Sequence, residues 1–128
     1  VTQTLIWVLE RDVLAMHDKL LAMHGGAPGL RDRGLLQSAL ARPQQLASYA
    51  PSSDRVQLAG AYTAGIVRNH PFVDGNKRAG FVAGVLFLEL NGLRFTASEA
   101  DAAQAVLDLA ARLIDEETYC AFIRSNSQ

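Results

Sequence analysis

The run Ala79-Gly80-Phe81-Val82-Ala83-Gly84-Val85-Leu86-Phe87-Leu88 contains no charged or hydrogen-bonding side chain. At helical spacing it is apolar on every face, and such a helix in a globular chain must be surrounded by other helices. The pattern predicts a helix from about Asn76 to Asn91, with Gly92 as its stop. Gly80 and Gly84 lower helix propensity; they are expected where a neighbouring helix approaches closely. The chain is therefore expected to be all-α, a bundle of about six helices around a central apolar helix at about 76–91.

The rest of the pattern supplies the surrounding helices. Val13, Met16, His17, Leu20, Leu21 and His24 repeat at helical spacing, and Gly25-Gly26 closes that helix. A shorter helix is expected from about Gly34 to Ala41, stopped by Pro43. Residues 44–53 are ambiguous, and Pro51-Ser52-Ser53 reads as a loop. Asp54 is an N-cap candidate for a helix with Leu58, Ala59, Tyr62, Gly65 and Ile66 on one face. Pro71 disfavours helical geometry at His70, so this helix should end near Asn69. Ser98-Glu99-Ala100-Asp101 resembles a capping box. It opens a helix whose buried face is read as Ala103, Val106, Leu107, Ala110 and Ile114. A last helix starts at about Glu116, with Tyr119, Phe122 and Ile123 inward. No strand pairing into a sheet is expected.

A length of 128 residues fits one domain over 1–128. The net charge of −1 lacks the positive footprint of a nucleic-acid binder, so no direct nucleic-acid partner is expected. Cys120 is the only cysteine, which excludes an internal disulfide, and its apolar neighbours point to a buried thiol. Leu5-Ile6-Trp7-Val8-Leu9 is far too short to span a bilayer, so no membrane role is expected. No signal-like segment opens the sequence, which makes the cytoplasm the default compartment.

The chemistry concentrates in His70-Pro71-Phe72-Val73-Asp74-Gly75-Asn76-Lys77-Arg78. Gly75 and Asn76 turn the chain into the apolar helix. The first N–H groups of a helix lack internal partners, the macrodipole is positive there, and phosphate binds such ends. Lys77 and Arg78 add cations where the dipole disfavours them by about 0.3–1 kcal/mol each; a polyanion between them would explain the placement. Asp74 offers a hard oxygen suited to Mg²⁺. His70 has the chemistry of a general base for a hydroxyl. Phe72 is read as the anchor of the loop in the core. Each piece alone has a plainer reading: a helix-end histidine, an ordinary turn, a solvated charge pair. The functional case is their conjunction.

The same nine residues resemble the signature loop of the Fic/Doc family, most closely its Doc, or death-on-curing, branch. Met16-His17-Asp18-Lys19, Gly25-Gly26-Ala27-Pro28-Gly29 with Asp32, and Leu86-Phe87-Leu88 with Asn91-Gly92 extend the resemblance. The Fic pattern has a second glycine where Lys77 stands and a second arginine where Phe81 stands; both departures are those of the Doc branch. The resemblance implies a toxin of a toxin–antitoxin system. It would be a Mg²⁺-dependent kinase moving the γ-phosphate of ATP to a Ser/Thr hydroxyl of a target protein, elongation factor Tu, and so inhibiting translation. It implies His70 as the base, Asp74 as the Mg²⁺ ligand, and Gly75, Asn76, Lys77 and Arg78 as phosphate-binding residues. Arg68 is a further candidate for substrate or phosphate contact. A separate antitoxin is implied, because the inhibitory Ser/Thr-x-x-x-Glu-Gly/Asn helix of many Fic proteins is missing. Two alternatives stay open: a Fic-type AMP transferase that tolerates Lys77, and a catalytically silent binding module.

Outside the loop, His17 and His24 are too far apart along one helix, about 10.5 Å, to share a metal. Both are read as packing positions. Trp7 is read as core or lid, and Arg31-Asp32-Arg33 as a solvated mixed-charge loop that could lie near substrate.

Overall fold

The computed structural model describes residues 4–128; the first three residues of the domain expected over 1–128 lie outside the described residues. The elements are α1 (Glu10–His24), α2 (Arg33–Tyr49), α3 (Arg55–Asn69), α4 (Asn76–Leu90), α5 (Glu99–Ala110) and α6 (Glu116–Ser125). Among the described residues there is no sheet, only isolated antiparallel bridges Leu30–Phe72 and Phe95–Ser127. The fold is the all-α, six-helix bundle expected.

Helix starts follow side-chain chemistry. Asp32, Asp54, Ser98 and Asp115 accept from the N–H groups of Leu35, Gln57, Asp101 and Thr118 at 2.7–3.1 Å. Gln57 returns the bond to the Asp54 N–H at 2.8 Å, closing a capping box. Each such cap contributes about 1 kcal/mol. At the start of α4 the N-cap is Gly75, which has no side chain to give.

The helix at the centre is α3, where α4 was expected. Eleven of the fifteen α3 residues are buried, and it packs on α2, α4 and α6. Small residues make this possible. A methyl on Gly65 would lie 3.3 Å from the Ala39 backbone of α2, and one on Gly60 would collide with Cys120 Sγ of α6. From the other side, a methyl on Gly80 would lie 3.1 Å from the Thr63 carbonyl, and one on Gly84 would lie 2.9 Å from the Ala59 carbonyl. The close approach inferred from these α4 glycines is therefore an approach to α3. The opposite face of α4 is only half-buried at Phe81, Val82 and Val85, because it forms the wall of a cleft.

Two helix readings are corrected. Pro43 does not stop α2, which runs through it to Tyr49. The proline costs one intrahelical hydrogen bond, but it is buried, as are Leu36, Ala39 and Leu40 of the same helix; tertiary burial overrides local propensity. In α5 the buried face is Ala102, Ala105, Val106 and Leu109, whereas Ala103 and Leu107 are exposed. The helix is apolar over more than one stripe, and Ala103 and Leu107 turn toward the cleft.

The extended segment before α1 is tied down by Tyr62, whose hydroxyl accepts from the Val8 N–H at 3.0 Å. Burial pushes this phenol up to about 12. Trp7 is half-buried against Phe87, with ring centroids 5.6 Å apart.

Candidate functional site

The loop between α3 and α4 begins with an unusual backbone. His70 closes α3 with φ 53° and ψ 53°, a left-handed conformation that costs a non-glycine residue about 1–2 kcal/mol. Pro71 crowds the right-handed helical region of its predecessor, so the helix cannot simply continue through His70. Pro71 and Phe72 are buried behind it. Phe72 is 1% exposed and stacks on His17 with centroids 3.7 Å apart, so it anchors the loop as expected.

The segment before α2 grips this loop. Arg31 and Asp32 N–H groups donate to the Pro71 carbonyl at 2.7 and 3.0 Å, and Val73 N–H donates to Gly29 at 3.0 Å. The Arg31 guanidinium donates to the carbonyls of His70 (2.7 Å) and Asn69 (3.0 Å). Asp32 caps α2, and Arg33 pairs with Glu10 at 2.9 Å. Arg31, Asp32 and Arg33 are exposed, as read, and each of the three charges also has a partner.

Asn76 was expected among the phosphate-binding residues, where its side-chain amide is an obvious donor. The structure engages that amide elsewhere. Asn76 is 4% exposed; its Oδ1 accepts from the Phe72 N–H at 2.9 Å and its Nδ2 donates to the Phe72 carbonyl at 3.0 Å. The side chain is a staple across the loop, which leaves the backbone N–H as its group facing outward. Asp74 is held from three sides. Its carboxylate accepts from Gly75 N–H (2.8 Å) and Ala27 N–H (3.2 Å). His17 Nε2 lies 2.8 Å from its carbonyl oxygen; a carbonyl can only accept, so this nitrogen carries the proton. The Ala27 and Gly75 N–H groups hold the Asp74 carboxyl below its ordinary range, with smaller help from His17 and Lys77. Gly26, with φ 122°, lets the chain pass so close to Asp74 that a methyl there would sit 2.9 Å from Oδ2.

The helical ladder of α4 starts with the Ala79 N–H donating to Gly75 at 2.9 Å. The N–H groups of Asn76, Lys77 and Arg78 precede it and meet no acceptor among the described residues. Lys77 and Arg78 are exposed, and among the described residues neither is in an ion pair. His70, Asp74, Gly75, Asn76, Lys77 and Arg78 all line one cleft of about 700 Å³, a size typical of small-molecule sites. Its other wall is apolar, from Phe81, Val82 and Val85 of α4 to Val106 and Leu107 of α5.

Two placements differ from expectation. Arg68 is not among the cleft residues; its guanidinium pairs with Glu116 of α6 at 3.1 Å. Residues two apart on a helix do not share a face, so nearness to His70 in sequence did not bring Arg68 to the site. His24 is exposed and lines the cleft, so of the α1 histidines only His17 is a packing position. The link from His17 to the loop had no signal in sequence beyond its place on the buried stripe of α1.

Among the described residues no group of three or more His, Cys, Asp or Glu side chains could hold a metal by itself. A single ionised carboxylate beside a phosphate-binding helix end still fits Mg²⁺, which takes one or two protein carboxylates and shares phosphate oxygens. The arrangement as a whole offers a histidine, a carboxylate, free amides and cations around a space for a polyanion. A protein-family comparison matches residues 7–88 to the Fic/DOC family. The chain is 31% identical to "Protein kinase doc" of Escherichia phage P1 over 83 residues, 65% of this chain and 66% of that protein. It is 36% identical to "Toxin Doc" of Mycolicibacterium smegmatis over 100 residues, 76% of this chain and 77% of that protein. The alignment with the phage protein thus spans about two thirds of its length. With the loop geometry and both relatives in agreement, the chain belongs to the Fic/Doc family, on its Doc branch.

Proposed function

We propose that this protein is a Doc-like toxin acting in the cytoplasm as a Mg²⁺-dependent protein kinase. It moves the γ-phosphate of ATP to a Ser/Thr hydroxyl of a target, and the target we favour is elongation factor Tu, whose modification would stop translation. A separate antitoxin would restrain it. The observation that carries this reading is the convergence of His70, Asp74, the unpartnered first-turn amides of α4, Lys77 and Arg78 on one cleft.

In this reading His70 removes the proton of the acceptor hydroxyl. The N–H groups of Asn76, Lys77 and Arg78, with the Lys77 and Arg78 side chains, hold the phosphates in line with it. Such catalysis is largely positioning and preorganised charge. Asp74 would hold Mg²⁺, which would supply neutralisation of phosphate charge. Transfer of phosphate is favoured over transfer of AMP by the positions of Lys77 and Phe81. Lys77 puts a side chain where an AMP-transferring site needs bare glycine backbone. Phe81 meets Phe95 edge-on at 5.6 Å, an apolar contact where a second arginine would be needed.

The test is a bacterial translation extract supplied with ATP, Mg²⁺ and purified protein. Reporter synthesis should fall with the wild type and persist with His70→Ala, and mass spectrometry should find a phosphorylated Ser or Thr on elongation factor Tu only with the wild type. Equal inhibition by both proteins would defeat the enzymatic reading.

A further inference from the structure

Arg31 touches three successive carbonyls around His70. Its Nε and a terminal guanidinium nitrogen donate to His70 and Asn69 at 2.7 and 3.0 Å, and its backbone N–H donates to Pro71 at 2.7 Å. These bonds answer a local need. A helix that ends on a left-handed residue is closed by that residue's own N–H, present here from His70 to Ile66 at 3.0 Å, and in the Schellman form also by the N–H of the residue after it. Here that residue is Pro71, which has no N–H. The last carbonyls of α3 are left open, at an end where the macrodipole favours a cation. The guanidinium fork fits two neighbouring carbonyls at once.

The rest of the loop is held by other means. Asn76 staples Phe72 at 2.9 and 3.0 Å, and His17 and Ala27 hold Asp74 at 2.8 and 3.2 Å. The backbone of His70 gets none of these; within α3 its N–H donates to Ile66 at 3.0 Å, and its carbonyl rests on Arg31. We infer that Arg31, from outside the signature loop, is the positioning residue that clamps His70 in its left-handed conformation and so aims the imidazole into the cleft. The inference rests on the proposed role of His70 as base, and it divides the site into two parts. Phosphates are held by one set of supports and the base by another.

Replacing Arg31 should therefore impair the chemical step and spare nucleotide binding. In the full chain, Arg31→Ala should keep a near-wild-type melting temperature and shift the His70 backbone and ring signals in ¹⁵N NMR. Signals of Lys77 and Arg78 should stay in place. Its kcat should fall by about 10- to 100-fold, as for a misaligned reacting group, with KM for ATP within about twofold. Arg31→Lys, which keeps the charge and one donor, should recover part of kcat and part of the His70 shift. Unmoved His70 signals in Arg31→Ala would overturn the clamp whatever the transfer assay reads. So would a loss carried by KM for ATP alone. If the wild type itself transferred nothing, the kinase reading would fail, while the NMR comparison would still decide the clamp.

Discussion

Asn76 and Asp74 show how single residues make this loop. The Asn76 amide satisfies both backbone groups of buried Phe72. Asn76→Ala would strand a buried N–H and C=O, at about 1–3 kcal/mol. A lower melting temperature with reduced transfer is expected; an unchanged melting temperature would contradict the staple. Asp74 has a definite pH signature. Its folded value lies below the ordinary 3.8 because the Ala27 and Gly75 amides favour the charged form. The value is depressed on folding, so the contribution is present above the unfolded value and lost as pH falls through the folded one. Amide shifts of Ala27 and Gly75 should hold steady from neutral pH to the ordinary carboxylate range and move only in stronger acid. Movement near pH 5–6 would show that another group holds them. The Cys120 thiol, pushed up to about 11 by burial, should ignore thiol reagents at neutral pH until the protein unfolds.

At the scale of helices, the decisive contacts are backbone approaches permitted by glycine. Gly84→Ala would place a methyl 2.5 Å from Thr63 Oγ1 and 2.9 Å from the Ala59 carbonyl. Overpacking of this kind costs about 1–3 kcal/mol, so denaturant unfolding should shift to a lower midpoint with a similar slope; a wild-type midpoint would contradict the close α3–α4 contact. The element boundaries were legible because they rest on local chemistry: Asp54, Pro71, Gly92 and Ser98 act through neighbours within a few residues. What escaped sequence reading is long-range. Pro43 lies inside α2 because burial compensates the lost hydrogen bond. Ala103 and Leu107 face the cleft because α5 is apolar on two stripes and only the partner helices choose between them. The positions of Gly80 and Gly84 were readable as contacts, but not that the partner, α3, would be the more enclosed helix.

Across the whole molecule, the bundle presents the loop at one end of α3 and α4 and leaves one wall of α4 open to α5. On another side Arg42 and Arg68 share Glu116 at 2.8 and 3.1 Å, joining α2, α3 and α6. The candidate residues that line the cleft were legible as a set, since they fall within the contiguous run from His70 to Arg78, whereas Arg68 was placed at the site by nearness in sequence alone. Their supports were not: Arg31, His17 and Ala27 reach the loop from 39, 57 and 47 residues away. No short-range pattern encodes such contacts. The central claim is that this cleft transfers the terminal phosphate of ATP. It is tested most directly by parallel reactions with Mg²⁺ and bacterial translation extract, with ATP labelled at the γ- or the α-phosphate and His70→Ala as control. The account predicts a protein band labelled from γ-labelled ATP only, absent with His70→Ala. A band labelled from the α-phosphate would contradict it and identify an AMP transferase.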